Sequence, residues 1–169
     1  MTSEPTTRVQ GALLSLAETA WRYRAGEGSP EDLPMIAAEA LAAGVDTPAL
    51  CDLAGLPRNA NTHDIRQVFE QALSEAGIEL PAPDLAQRYA LRRLAERLVD
   101  EDVSPTELAA GNWWEVAVET AQERTLVALI PQCSCCLDYT LPVDQRSWPA
   151  ELRAAARALM SSQPIGPDC

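Results

Sequence analysis

The chain has 169 residues, of which 47% are hydrophobic, and its 25 acidic residues outnumber 13 basic ones, giving a formal charge of −12. Nucleic-acid phosphates would be repelled by this charge, so the composition argues against a nucleic-acid partner. No run approaches the roughly 18 apolar residues that span a bilayer, and the N-terminus carries no signal-peptide pattern, so we expect a cytoplasmic protein without membrane contact.

Helical signals occupy the first half of the chain. After a lead at residues 1–6 that we expect to be disordered, apolar residues recur three and four positions apart. The ends of these segments carry typical helix signals. They include helix-capping Ser, Thr and Asn residues, prolines at first helical positions, and glycines after last ones. Four helices are predicted, at about residues 7–24, 30–43, 48–54 and 61–76.

Three further helical segments follow in the second half. The first runs from Asp84 to about Val99, with its arginines pointing mostly outward, and the second opens at Ser104 and extends, with a break at Gly111, to Ile130. A last helix covers residues 148–161. The sequence thus predicts an all-α protein: a compact bundle of six or seven helices with an irregular cysteine-rich connection before the last one. The single domain would cover residues 7–161, followed by a flexible tail at 162–169.

Two stretches in the middle of the chain resemble a known group of proteins. They read GVDTPALCDLAGLPRNANTHDIRQVFEQALSEAGIEL and ALRRLAERLVDEDVSPTELA, and together they lie between Gly44 and Ala109. This region resembles small, acidic, all-helical actinobacterial proteins of unassigned activity. The resemblance implies a helical fold and a bacterial source. It brings no catalytic motif, and it does not extend to the cysteine-rich stretch.

Three cysteines cluster within four positions, at Cys133, Cys135 and Cys136. A structural zinc site needs four soft ligands, commonly from two such clusters, and here Cys51 or His63 would have to complete the set. A thioredoxin-like redox motif would need a strand before the first cysteine and a helix after it, a setting this stretch lacks. The alternative is that the cysteines are small packing residues between the last two helices.

A candidate protein-binding surface is predicted around two adjacent tryptophans. Trp113 and Trp114 cannot both face the core from one helix, so one of them should lie at the surface. Glu115 and Glu119, four positions apart on the predicted helix, would place carboxylates on one face beside it. Exposed tryptophans are common at the energetic centres of interfaces, and flanking carboxylates favour a basic partner.

No catalytic constellation is recognisable in the sequence. It contains no Ser-His-Asp order, HExxH, GxSxG or glycine-rich phosphate loop, and the paired glutamates lack the Glu-x-x-His motif of di-iron bundles. The favoured hypothesis is a non-enzymatic interaction module, such as an immunity protein, an antitoxin-like neutraliser or a regulatory adaptor, that binds a basic protein and needs no cofactor. The alternative is a metal- or thiol-dependent protein that uses the cysteine cluster, with zinc as the metal.

Overall fold

The computed structural model of the chain describes residues 4–101, 103–133, 144 and 146–167. Within these residues the protein forms helices and no strand, which confirms the all-α prediction. No helix in this part of the chain combines the length and the apolar character needed to cross a membrane. The helices are α1 (Glu4–Arg24), α2 (Leu33–Ala42), α3 (Pro48–Ala54), α4 (Thr62–Glu75), α5 (Pro83–Asp100), α6 (Pro105–Ala110), α7 (Ala121–Leu129) and α8 (Trp148–Met160), with 3-10 turns at Pro30–Asp32 and Trp113–Glu115.

The helices group into two compact units. The first contains residues 4–83 with 166–167, and the second contains the described residues between 84 and 165. Each unit has its own cluster of buried apolar side chains. The predicted helical domain, residues 7–161, spans both of them.

The core of the first unit is built on Phe69, the only phenylalanine of the chain. Phe69 is buried on α4, and the ring of Tyr23 from α1 meets it edge-on with the ring centroids 5.2 Å apart. This T-shaped arrangement places the positive ring edge against the negative ring face. Leucines from three helices fill the space around the pair: Leu16 on α1, Leu50 and Leu53 on α3, and Leu73 on α4.

The short helix α3 is capped twice at its N-terminus. The hydroxyl of Thr47 accepts a hydrogen bond from the Leu50 N–H at 3.3 Å, as the sequence predicts for an N-cap threonine. The Ala49 N–H donates to Glu75 Oε2 at 2.8 Å, although Glu75 ends a different helix, α4. The Ala49 N–H is the main cause that holds the pKa of Glu75 below its ordinary value, so this carboxylate stays charged and keeps accepting.

The core of the second unit joins α5, α6, α7 and α8. Its members include the apolar stripe predicted for the last helix, Leu152, Ala155, Ala156 and Leu159. Trp148, at the first position of α8, is buried, and its indole N–H donates to the Leu129 carbonyl at 2.7 Å. Because Leu129 is the last residue of α7, this bond satisfies a carbonyl that the helix itself leaves without a donor.

Arg92 caps the C-terminus of α8. Its guanidinium donates to the Leu159, Met160 and Gln163 carbonyls at 3.1, 2.7 and 3.2 Å, with longer bonds to Ser162. A positive charge at this end of a helix meets the partial negative charge of the last carbonyls. The prediction that the arginines of α5 point outward is therefore wrong for Arg92, which is half-buried because it serves a neighbouring helix.

We expect the Arg92→Gln variant to be less stable to urea than the natural protein by about 1–3 kcal/mol, because several carbonyls would lose a charged donor. Arg146→Gln is the matched control, since the Arg146 side chain is exposed and makes no ion pair or hydrogen bond within the described structure. Equal urea midpoints for the two variants would contradict a stabilising role for Arg92.

Candidate functional site

The predicted protein-binding residues lie in a tight turn and the extended segment after it, and the predicted helix from Trp113 to Ile130 is shorter than expected. Trp113–Glu115 form a single 3-10 turn, and α7 begins only at Ala121. The reason is a capping box that the sequence analysis missed. Thr120 accepts from the Glu123 N–H at 3.1 Å, and the Glu123 carboxylate accepts from the Thr120 N–H at 3.0 Å.

Because α7 begins later than predicted, the arrangement of the two glutamates also differs from the prediction. Glu115 ends the 3-10 turn and Glu119 precedes the N-cap of α7, so the two do not share a helix face as predicted. Both are exposed, and the Glu119 side chain retains 71% of its accessible surface. The carboxylates are thus available to solvent, but they are carried by an irregular segment.

The turn separates the two tryptophans as the sequence analysis expected. Trp113 is half-buried and packs against the core of the second unit, whereas Trp114 is 46% exposed, one of few large apolar side chains at the described surface. The packed indole of Trp113 anchors the turn whose backbone carries Trp114. Because this backbone is already ordered in the free protein, binding a partner costs less conformational entropy.

Gly111 makes room for the anchored indole. A Cβ atom added at Gly111 would lie 2.7 Å from Cε2 of Trp113 and closer still to its Nε1, so the ring lies directly over the glycine. The backbone of Gly111 is extended, with φ −88° and ψ 144°, and any residue can adopt this conformation. The requirement for glycine at this position is therefore one of space.

A buried ion pair fixes the start of α7 close to this turn. Arg88 on α5 is 9% exposed and Glu123 is 1% exposed, and Arg88 Nε donates to Glu123 Oε1 at 2.8 Å. Arg88 Nη1 also donates to Glu119 Oε2 at 2.6 Å. The second oxygen of Glu123 accepts from the Glu119 and Thr120 N–H groups at 2.8 and 3.0 Å. Both carboxylate oxygens of Glu123 are therefore satisfied.

These contacts set the charge of Glu123. Burial by itself raises the pKa of Glu123, but the Thr120 N–H, the Arg88 guanidinium and the Glu119 N–H together outweigh it and hold the pKa below its ordinary value. Glu123 is therefore a charged structural residue at neutral pH. Its hydrogen bonds leave it no role as a proton donor.

Arg88 was predicted to point outward, and its burial is a correction. The sequence signal was present: Arg88 lies three positions before Leu91 and seven before Ala95, on the same helix face as these core residues. Arginine is ordinarily exposed, and its pairing with a glutamate 35 residues away is not visible from periodicity.

The predicted metal ligands are only partly covered by the described residues. Cys51 is exposed on α3 in the first unit, and Cys133 is half-buried in the second unit. Cys135 and Cys136 lie outside the described residues. Within the residues that are described, no three His, Cys, Asp or Glu side chains converge as a metal site would require. The zinc site therefore stays a prediction.

Comparison of the chain with protein-family models, with curated proteins and with solved structures gives no match.

We expect Gly111→Ala to lower the free energy of unfolding by about 1–3 kcal/mol, because the added methyl group forces the Trp113 indole out of its position. Near-ultraviolet circular dichroism should change as the ring moves. The same substitution at Gly11, which lies in α1 with open space around it, is the control and should be neutral or stabilising by up to about 1 kcal/mol. Two variants of equal stability would contradict the close contact at Gly111.

We expect Glu123→Gln to destabilise the protein by about 3 kcal/mol at pH 7, because Arg88 loses its buried charged partner. The pKa of Glu123 is lower in the folded than in the unfolded protein, so its stabilising effect is complete above the ordinary value of about 4.5. The effect is lost as the pH falls through the folded pKa. Urea unfolding should therefore give a difference between natural protein and variant that shrinks below pH 4.5.

The control for this pH dependence is Glu96→Gln on the exposed face of α5. Its difference from the natural protein should be within about 0.5 kcal/mol at every pH, as for other exposed surface changes. A Glu123→Gln difference that stays constant down to pH 3 would contradict the assignment of a charged, hydrogen-bonded carboxylate.

Proposed function

We propose that the protein is a non-enzymatic interaction module that binds a basic protein partner, in the manner of an immunity protein, an antitoxin-like neutraliser or a regulatory adaptor. The observation that carries the proposal is the exposed Trp114 ring, held beside exposed Glu115 by a turn anchored through Trp113. We call Trp114, Glu115 and Glu119 the tryptophan surface.

The exposed side chain of Trp114 can contribute favourable free energy to the binding of a partner. Water contacts nearly half of this large side chain, so a partner that covers it would gain the free energy of removing apolar surface from water. Tryptophan also offers a broad, rigid face to which an arginine or lysine side chain of a partner can bind by cation–π attraction. Covering the ring with a cationic partner would use both effects.

Charge supports a basic partner over an acidic one. Glu115 has no arginine partner among the described residues, whereas one oxygen of Glu119 is engaged by Arg88. The second unit, residues 84–165, contains twelve acidic and eight basic residues, for a formal charge of −4, so its long-range field has the same sign as the local surface. Such a field increases the association rate of a positively charged protein and weakens as salt is added.

The test begins with site-specific capture. A photoreactive phenylalanine analogue placed at position 114 would be activated in lysate of the source organism, and the cross-linked protein would be identified and purified. Met35, which is 64% exposed in the first unit, is the matched control position. The proposal requires a basic protein that cross-links from position 114 and not from position 35.

Titration calorimetry with the purified partner then measures the contribution of each side chain. Trp114→Ala should weaken binding at least about thirtyfold, which corresponds to roughly 2 kcal/mol for a central interface residue. Glu115→Gln should weaken it less and should reduce the sensitivity of the affinity to salt. Met35→Ala should leave it unchanged. A partner whose affinity is the same for Trp114→Ala and the natural protein, or one that is acidic, would refute the proposal.

A further inference from the structure

The first unit is the more acidic of the two, yet two of its arginines meet at one surface depression. Residues 1–83 contain twelve acidic and only five basic residues. An open depression of about 240 Å³ is lined by Tyr23 and Arg24 at the end of α1 and by Arg66 on α4. Gly26 and Gly28 form the adjoining wall.

The two guanidinium groups have no partner within the part of the chain that the structure describes: neither forms an ion pair or a hydrogen bond there. Both nevertheless line the depression together with Tyr23. Burial and Glu70 raise the pKa of Tyr23, while the charges of Arg66 and Arg24 act in the opposite direction on the same phenol. Two like charges in one depression repel each other, and a bound anion would offset this repulsion.

The carboxylates at this place are already engaged. Glu27 lines the depression but faces Arg22, with Arg22 Nε 3.7 Å from Glu27 Oε2. Glu70 accepts a hydrogen bond from the Tyr23 hydroxyl at 3.0 Å. Glu27 therefore has an arginine partner outside the depression and Glu70 is held on the phenol, while Arg24 and Arg66 form no ion pair among the described residues.

A ligand could approach the backbone closely at the wall of the depression. Gly26 and Gly28 have φ angles of 79° and 83°, in the left-handed region that glycine adopts without strain. A Cβ added at either position would meet no atom within 4 Å, so the space beside the backbone is open. An oxygen-rich anion could therefore approach the main chain as well as the two guanidinium groups.

We propose that this depression binds a phosphate-type oxyanion, a doubly charged group held by the guanidinium groups of Arg24 and Arg66. Guanidinium groups bind such oxygens through paired N–H donors, and two of them match the charge of a dianion. This arginine site belongs to the first unit and is independent of the tryptophan surface in the second.

The experiment uses inorganic phosphate as the probe at constant ionic strength. In ¹H–¹⁵N spectra of the full chain, the amide signals of Gly26 and Gly28 should shift and saturate in the millimolar range. The double variant Arg24→Gln/Arg66→Gln should bind at least about tenfold more weakly, since two charged donors are lost. Both side chains are exposed and make no internal bond among the described residues, so the variant should keep its fold and its remaining spectrum.

The matched control is Arg58→Gln, which removes an exposed arginine of the same unit outside the depression and should bind phosphate as the natural protein does. Acetate, with one charge, should bind more weakly than phosphate. Absence of saturable shifts at the two glycines, equal binding by the double variant, or acetate binding as tight as that of phosphate would each overturn the proposal.

Discussion

The second unit depends on a charged pair removed from water. Burying Arg88 and Glu123 costs each of them its hydration, and attraction between the two charges offsets this cost only if the remaining hydrogen-bonding groups are satisfied. Backbone N–H groups meet that condition for Glu123. The Glu119 and Thr120 N–H groups, which α7 leaves without internal acceptors, are turned toward the same carboxylate. One glutamate thus begins a helix and fastens it to α5.

That arrangement has a consequence for the tryptophan surface. Because Glu123 sets the start of α7 at Ala121, the segment from Val116 to Thr120 cannot join the helix. The preceding Trp113–Glu115 turn is then held at both sides, by the indole of Trp113 over Gly111 and by Glu119 on Arg88. A continuous helix through this region would have turned Trp114 by a different angle. The location of the exposed ring in a turn, and not on a helix, therefore follows from where α7 begins.

Much of the fold could be predicted because its determinants are local. The side chains of Thr47, Asn61 and Ser104 cap helices as their sequence positions predict, and the apolar stripe of α8 is buried in full. The candidate site was harder to predict from the sequence, because its decisive contacts join residues that are far apart along the chain. Arg88 was predicted at the surface because it is charged, although periodicity puts it on the core-facing stripe of α5, and pairing between elements cannot be read from periodicity. The Thr120–Glu123 capping box was readable, but the apolar residues on either side suggested an uninterrupted helix.

The contact between Glu75 and Ala49 adds a hydrogen bond between two helices that already share a core, through Leu50 and Leu53 of α3 and Phe69 of α4. A helix of seven residues such as α3 is too short to be stable alone, and its first-turn amides would ordinarily fray into solvent. Here one of those amides, the Ala49 N–H, donates a hydrogen bond to the Glu75 carboxylate at the C-terminal end of α4. Fraying of α3 at that end therefore breaks a bond to α4 as well, which adds to the coupling between the two helices in local unfolding.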